Sequence, residues 1–210
     1  MRIFAYYAVA PAFFPRQAMA RLLGERRPLR EAAGAVGLVG ALYALTSVVL
    51  AMAGAVPLVS SVLPLSPENY YFWQTFFAVP FAFLGWGAAA GMLHLLDRRQ
   101  RGRVALKKTA ALAGPAVAAA LFVAWLPMAL AAFLMVLGMN QEELVGLLSE
   151  PGAWQVFDFA LYVLGAAAGA VLLTLAAAHG RFKKARRART ILIGGVATAV
   201  LAGVFAVFIR

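Results

Sequence analysis

Cysteine is absent from this chain, and acidic residues are scarce. The lack of cysteine excludes disulfides and thiolate metal sites. Asp and Glu together number 8 against 19 Lys and Arg, and only 13% of the 210 residues are charged. Soluble globular domains carry about 25% charged residues. This composition is therefore not that of an ordinary soluble domain.

Residues that carry out catalysis or bind metals are equally rare. The two histidines, His94 and His179, lie far apart in the sequence, and there is no HExxH, GxSxG or Walker-type motif. Ionisable residues inside a membrane mark pumps and proton relays, and the two that fall within the apolar runs, His94 and Asp158, lie near the ends of those runs. We therefore predict no catalytic residue, no metal site and no cofactor, and we do not expect an enzyme.

Long apolar runs dominate what is present. Hydrophobic residues make up 64% of the chain. A helix needs about 20 apolar residues to cross a bilayer. Five runs reach that length, over residues 32–54, 71–96, 109–137, 156–178 and 190–209. They predict an all-α polytopic membrane protein, in which a cytoplasmic segment over residues 1–31 precedes a domain of five transmembrane helices over residues 32–210.

The basic residues lie almost entirely on one side of these runs. Of the 19 Lys and Arg, 18 precede the first run or lie in the loops after the second and fourth runs. The other two loops contain none, and they carry Glu residues instead. Because Lys and Arg are enriched in cytoplasmic loops, this pattern predicts a cytoplasmic N-terminus and a C-terminus outside.

Two of these basic loops carry more charge than orientation requires. A base near an anionic membrane surface contributes about 1 kcal/mol of binding free energy. We therefore predict contacts with anionic phospholipid or with an acidic partner, and no nucleic-acid partner. The alternative is that the bases serve orientation alone. The predicted contact residues are Arg98, Arg99, Arg101, Arg103, Lys107, Lys108, Arg181, Lys183, Lys184, Arg186, Arg187 and Arg189.

Residues 11–31 include the pattern of a short amphipathic helix. At about 100° per residue, the apolar side chains fall on one half of the helix, and Arg16 and Arg21 fall on the other. This predicts an N-terminal helix lying in the cytoplasmic interface, with its arginines toward anionic headgroups. The alternative is an irregular tail under the bundle. The apolar half consists of Phe14, Ala18, Met19, Leu22 and Leu23.

Two Gly-Ala-Ala-Ala-Gly segments occur in the second and fourth runs. In lipid, helices associate through small residues that allow their backbones to approach closely. Gly87 and Gly91 share one face of the second run, Gly165 and Gly169 share one face of the fourth, and Gly85 extends the first patch. We predict that all five pack against other helices of the chain. The alternative is contact with a second copy or with another membrane protein.

Three prolines lie within the predicted spans. Pro80 is in the second run, and Pro115 and Pro127 are in the third. A proline inside a helix removes one backbone hydrogen bond and can kink the helix. We predict kinks at these residues, which either accommodate packing or open a cavity beside the second and third spans.

The segment PFAFLGWGAAAGMLHLLDRRQRGRVALKKTAALAGPAV, residues 80–117, resembles the core of the Yip domain family of Ypt/Rab-interacting membrane proteins. Pro80, Gly114 and Pro115 match that family's pattern in type, and five spans with the N-terminus inside match its topology. The acidic aromatic segment of eukaryotic members is absent, and no Tyr follows Gly114. Eukaryotic members bind Rab-type GTPases and shape early secretory membranes. The resemblance implies the fold and topology of a bacterial member, not a GTPase partner.

Together these patterns favour a non-enzymatic protein of a bacterial inner membrane. We expect a membrane scaffold or organiser whose partners are the lipid bilayer and its anionic phospholipids. The alternative is a small transporter, channel or lipid-handling protein that uses a cavity beside the Pro-kinked second and third spans.

The distribution of basic residues leads to a test of topology. The chain has no cysteine, so single cysteines can be introduced at Ser60, Gly146 and Gly102. We expect the first two to react with an impermeant thiol reagent in intact cells and the third to be protected, because the basic loops should face the cytoplasm. Labelling at Gly102 alone would contradict the topology.

Overall fold

The computed structural model describes residues 2–57, 65–98, 105–149, 151–179 and 187–209. Every regular element within these ranges is a helix, as the all-α prediction required. A short 3-10 turn over Pro67–Asn69 precedes the fourth helix. The helices are α1 (Arg2–Phe13), α2 (Pro15–Gly24), α3 (Pro28–Met52), α4 (Tyr70–Arg98), α5 (Leu106–Val136), α6 (Gln141–Ser149), α7 (Ala153–His179) and α8 (Arg187–Ile209).

Four of these helices are long and apolar enough to cross a bilayer, namely α3, α4, α5 and α7. They coincide with the first four predicted spans to within a few residues at each end. Helix α8 covers the fifth predicted span, but its described apolar part, Thr190–Val204, is shorter than the roughly 20 residues that a bilayer requires. Four candidate spans are therefore confirmed, and the fifth remains a prediction.

Helix α5 forms the centre of the bundle. Each residue from Ala111 to Leu121 is buried, although this stretch spans three full helical turns. A helix stretch that is buried on all sides is surrounded by other elements of the protein. Helices α3, α4 and α7 pack around α5, and α1 covers it between α3 and α7. The Ala-rich sequence of this stretch lets all these neighbours approach closely.

Helices α4, α5, α7 and α8 form a closed ring in which each packs against the next. Contacts between specific residues show that ring neighbours are antiparallel. Trp86, in the second half of α4, contacts the start of α5. Thr174, near the end of α7, meets Gly194, near the start of α8. The end of the bundle at which α3, α5 and α8 begin is called the basic end below.

The N-terminal segment forms two helices that pack on the bundle. Helix α1 was not predicted. Its Tyr7 is fully buried in the same core as Met19 and Leu22 of α2. Ala18, Met19 and Leu22 of the predicted apolar half therefore face the protein, whereas Phe14 and Leu23 of the same half are exposed, as are Arg16 and Arg21. The interfacial position of this segment remains a prediction.

Three of the five predicted packing glycines meet another helix. A Cβ atom at Gly85 would lie 3.0 Å from Leu201 of α8, and one at Gly165 or Gly169 would lie 3.3 Å from Ala120 of α5. The prediction that Gly87 and Gly91 pack against other helices of the chain is wrong, because a Cβ at either would meet no atom of another described element within 4 Å. The reason is helical geometry: two residues turn the helix by about 200°, so Gly87 faces away from the side where Gly85 packs.

Two further close helix crossings involve glycines that were not among the five predicted packing glycines. A Cβ at Gly40 of α3 would lie 3.0 Å from the Val79 Cα of α4. One at Gly114 of α5 would lie 3.1 Å from the Ala32 Cα of α3. Because these contacts are to backbone atoms, which cannot rotate away, the helix axes would have to separate to admit a side chain.

The prolines lie within continuous helices. Pro80 is inside α4, and Pro115 and Pro127 are inside α5, which runs unbroken from Leu106 to Val136. Pro115 and Pro127 are buried, whereas Pro80 is exposed. Both helices thus continue past the lost hydrogen bonds, and the predicted kinks remain predictions.

A pair of adjacent glycines in α8 tests the importance of close backbone approach. A Cβ at Gly194 would lie 2.6 Å from the Thr174 Cα, whereas a Cβ at Gly195 would meet nothing within 4 Å. We expect Gly194→Ala to lower the free energy of unfolding by about 1–3 kcal/mol through overpacking. Gly195→Ala should be neutral or slightly stabilising because alanine favours helix. Thermal unfolding in detergent compares the two, and equal melting temperatures would refute the crossing.

Candidate functional site

The predicted basic contact residues belong to the connections at the basic end. The α4–α5 and α7–α8 connections both lie there, since α4 and α7 end at it. Lys107 and Lys108, in the first turn of α5, are exposed. Arg98, Arg187 and Arg189 lie in the terminal turns of α4 and α8, and their side chains are outside the described residues. Also outside the described residues are Arg99, Arg101, Arg103, Arg181, Lys183, Lys184 and Arg186.

The N-terminal helices contribute further bases at this end. Helix α2 packs against α3, α5 and α7. Five arginines of α2, of the α2–α3 connection and of the first turn of α3 are exposed: Arg16, Arg21, Arg26, Arg27 and Arg30. In the sequence all five served to assign orientation, and Arg16 and Arg21 also defined the polar half of the predicted interfacial helix.

Tyr7 and Glu25 connect the two N-terminal helices. The Tyr7 hydroxyl donates a hydrogen bond of 3.0 Å to Glu25 Oε1. Arg21 Nε lies 3.9 Å from the same oxygen, and the Arg21 guanidinium lies 4.7 Å from the centre of the Tyr6 ring. Burial raises the pKa of Tyr7, and the bond to Glu25 raises it further, so this phenol stays protonated and keeps donating throughout the neutral range.

A buried polar cluster connects α3 to α4 and α5. Ser47 and Gln74 are the central pair, with exposed fractions of 0% and 3%. The Ser47 hydroxyl lies 3.0 Å from Gln74 Oε1 and 2.8 Å from the carbonyl oxygen of Tyr43. Gln74 Nε2 donates to the Tyr70 hydroxyl at 3.5 Å. The cluster occupies the last two turns of α3 and the first two turns of α4, in the half of the bundle away from the basic end.

Two further bonds extend this cluster to α5. Trp125 Nε1 donates to the Thr46 hydroxyl at 2.9 Å, and that hydroxyl donates to the Leu42 carbonyl. The Tyr43 hydroxyl donates to the backbone carbonyl of Leu121 at 3.2 Å. An unpaired polar group in hydrocarbon costs several kcal/mol, so these pairings favour one arrangement of α3, α4 and α5.

The cluster satisfies its own hydrogen-bonding groups. In the described part of the chain, every buried side-chain nitrogen or oxygen atom has a partner. The cluster holds no charged residue, and no group of three or more His, Asp or Glu among the described residues is arranged to bind a metal ion. The cluster therefore stabilises the packing of α3 against α4 and α5.

Sequence reasoning missed this cluster because Gln74 lies in an aromatic stretch that resembled an ordinary membrane-interface belt. A usable signal was present, since Thr46 and Ser47 are adjacent polar residues inside an apolar run and Gln74 lies one turn into the next. Their pairing depends on how α3 and α4 face each other, which neither run reveals.

A recess at the other end of the bundle bears on the cavity alternative. It lies between α5, α6 and α7, and all its lining side chains are apolar, including Pro127, Leu144, Trp154 and Phe157. It is therefore not beside α4, and it offers no polar side chain to a hydrophilic substrate. Gln141, at the start of α6, exchanges two hydrogen bonds with the backbone of Val56, at 3.2 and 2.9 Å, and so ties α6 to the segment after α3.

The Ser47–Gln74 pair can be tested with a matched control. We expect Gln74→Leu to destabilise the protein by about 1–2 kcal/mol, the upper range for hydrogen bonds between membrane helices. A double-mutant cycle with Ser47→Ala should show coupling between the two residues. Gln155→Leu is the control, because Gln155 also directly follows a tryptophan in the first two turns of a long apolar helix but is exposed. Equal losses of stability in Gln74→Leu and Gln155→Leu would argue against the cluster.

Comparison of the chain with protein-family models, curated proteins and solved structures gives no match. The Yip resemblance therefore remains a prediction from the quoted residues.

Proposed function

We propose that this chain is a non-enzymatic integral membrane protein of the Yip type that acts as a scaffold in a bacterial inner membrane. Its five spans place the basic end at the cytoplasmic face and the C-terminus outside. The bases of the two connections at that end hold anionic phospholipid.

The main support for this proposal is that the interior of the bundle is apolar whereas the basic end carries exposed positive charge. The described interior is apolar, apart from a cluster whose polar groups bond to one another. The bases whose side chains are described at the basic end are exposed, including Lys107 and Lys108. Among the described residues, positive charge is therefore available at the basic end and not in the interior of the bundle. This distribution suits binding to a charged surface.

Anionic lipid is the partner that fits this surface best. The basic end lies where α3, α5 and α8 begin, which is the level of headgroups if these helices span the bilayer. Anionic leaflets attract bases near their surface by about 1 kcal/mol each. An acidic protein bound from the cytoplasm is the competing partner, and it would compete with lipid that is already present.

The transporter or channel alternative receives less support. Transport of a polar solute needs polar groups that are free to bind it near the middle of the membrane. The buried polar side chains in the described part of the chain are bonded to one another or to backbone carbonyls, and the apolar recess lies at the end of the bundle away from the bases.

The test is lipid retention by a loop variant. In the variant, Arg98, Arg99, Arg101 and Arg103 are changed to Gln, which removes four charges from the α4–α5 connection. We expect the purified protein to retain several-fold less phosphatidylglycerol, and we expect the wild-type protein to lose it as salt rises above about 0.1 M, where the screening length is about 10 Å. Native mass spectrometry counts the bound lipid.

Two controls separate lipid binding from folding and orientation. Arg→Lys changes at the same four positions keep the charge and should keep the lipid. The Ser60 and Gly146 cysteines should label as in the wild-type background if the topology is intact. Unchanged retention in the Gln variant, with topology preserved, would leave the loops as orientation signals only.

A further inference from the structure

The N-terminal helices present an outer face whose orientation is determined by packing. Tyr7, Met19 and Leu22 are fully buried against the bundle. Their burial turns Arg16 and Arg21 of α2 outward. The exposed arginines are therefore held at a defined position at the basic end and not carried on a free tail.

Exposed aromatic and aliphatic side chains flank these arginines. Phe13 and Phe14, between α1 and α2, are 71% and 60% exposed, and Leu23 and Leu29 are also exposed. A surface of arginines with phenylalanine and leucine is typical of protein segments that lie at the headgroup–acyl boundary. Exposure of these apolar side chains to water alone would be energetically unfavourable.

Acidic side chains neutralise little of this surface. Among the described residues the one ion pair joins Arg21 to Glu25, and Glu25 also accepts the hydrogen bond from buried Tyr7. Arg16, Arg26, Arg27 and Arg30 therefore have no acidic partner in the described part of the chain. The term N-terminal face denotes these four arginines together with Phe13, Phe14, Leu23 and Leu29.

We propose that the N-terminal face is a second lipid-contact site, distinct from the connections between the spans, and that it binds the phosphates of anionic phospholipid in the adjoining leaflet. The arginines contact headgroup phosphates, and Phe13 and Phe14 insert beside them. This inference rests on the proposed function in one respect, since the basic end must lie at the anionic leaflet.

Charge and apolar exposure together favour lipid over an acidic protein. Arginine binds phosphate oxygens through paired hydrogen bonds. Lipid is present at the headgroup level at all times, whereas a protein partner would have to displace it. The docked position of α2 means that little further ordering is needed before the phosphates bind, which lowers the cost of binding.

A fluorescent probe on the N-terminal face tests the proposal locally. Gly24 is exposed, a Cβ there meets nothing within 4 Å, and the chain contains no other cysteine, so Gly24→Cys gives a single labelling site. The full-length protein carries an environment-sensitive dye at this site. It is placed in vesicles of phosphatidylcholine alone, and in vesicles of equal parts phosphatidylcholine and phosphatidylglycerol.

We expect a blue shift in the phosphatidylglycerol vesicles that is reversed at high salt. A face variant with Arg16, Arg26 and Arg27 changed to Gln should lose the shift and bind phosphatidylglycerol at this face about a hundredfold more weakly, since each of the three bases contributes about 1 kcal/mol near an anionic surface. The same positions changed to Lys should keep most of both. Far-ultraviolet circular dichroism confirms that α1 and α2 remain folded.

The loop variant separates this inference from the proposed function. If the loop variant loses lipid but the dye at Gly24→Cys responds equally in the wild type and the face variant, the N-terminal face is not a lipid site and the proposed function stands. If the face variant loses the shift and the loop variant keeps its lipid, the N-terminal face is the lipid site and the proposed role of the loops fails. A dye that does not respond to phosphatidylglycerol in the wild-type background overturns the inference.

Discussion

Close approach of helix backbones to α5 is the constraint on which the rest of this structure depends. In lipid, burying apolar side chains provides little drive, so contact area between helices must come from small residues. The fully buried stretch from Ala111 to Leu121 gives α3, α4 and α7 a surface of mostly alanine. Gly114 and Gly40 bring α3 against α5 and α4 at distances that any side chain would increase.

Hydrogen bonds then select one arrangement among the many that small residues permit. Alanine surfaces slide easily past each other because they carry no specific pairing. The Ser47–Gln74 pair and the bond from Trp125 to Thr46 each require one rotation and one height of α3 relative to its neighbours. Dispersion forces thus hold the helices together, and a few hydrogen-bonded polar groups determine their register.

The interior of the bundle differs chemically from the surface that we propose binds lipid. An interior that satisfies its own polar groups has little to offer a solute, whereas the arginines of the N-terminal face are exposed and have few acidic partners among the described residues. The proposed scaffold thus binds lipid at its periphery with groups that the fold positions but does not use. Loss of these charges should alter lipid contacts without loosening the bundle.

The sequence by itself determined the class of the protein, because membrane helices are recognisable from the length of apolar runs and from the placement of bases, both of which are local properties. Four candidate spans follow from these patterns, and the fifth remains a prediction. Tertiary structure decided which faces meet. Gly85 packs and Gly87 does not, although both lie in one glycine-rich segment, and Gln74 is buried where Gln155 is exposed. The packing of α1 on the bundle likewise could not be predicted, because the sequence of a short apolar helix does not indicate which helices it contacts. Which side of a helix meets its neighbour depends on both helices, so it cannot be deduced from the sequence of either one alone.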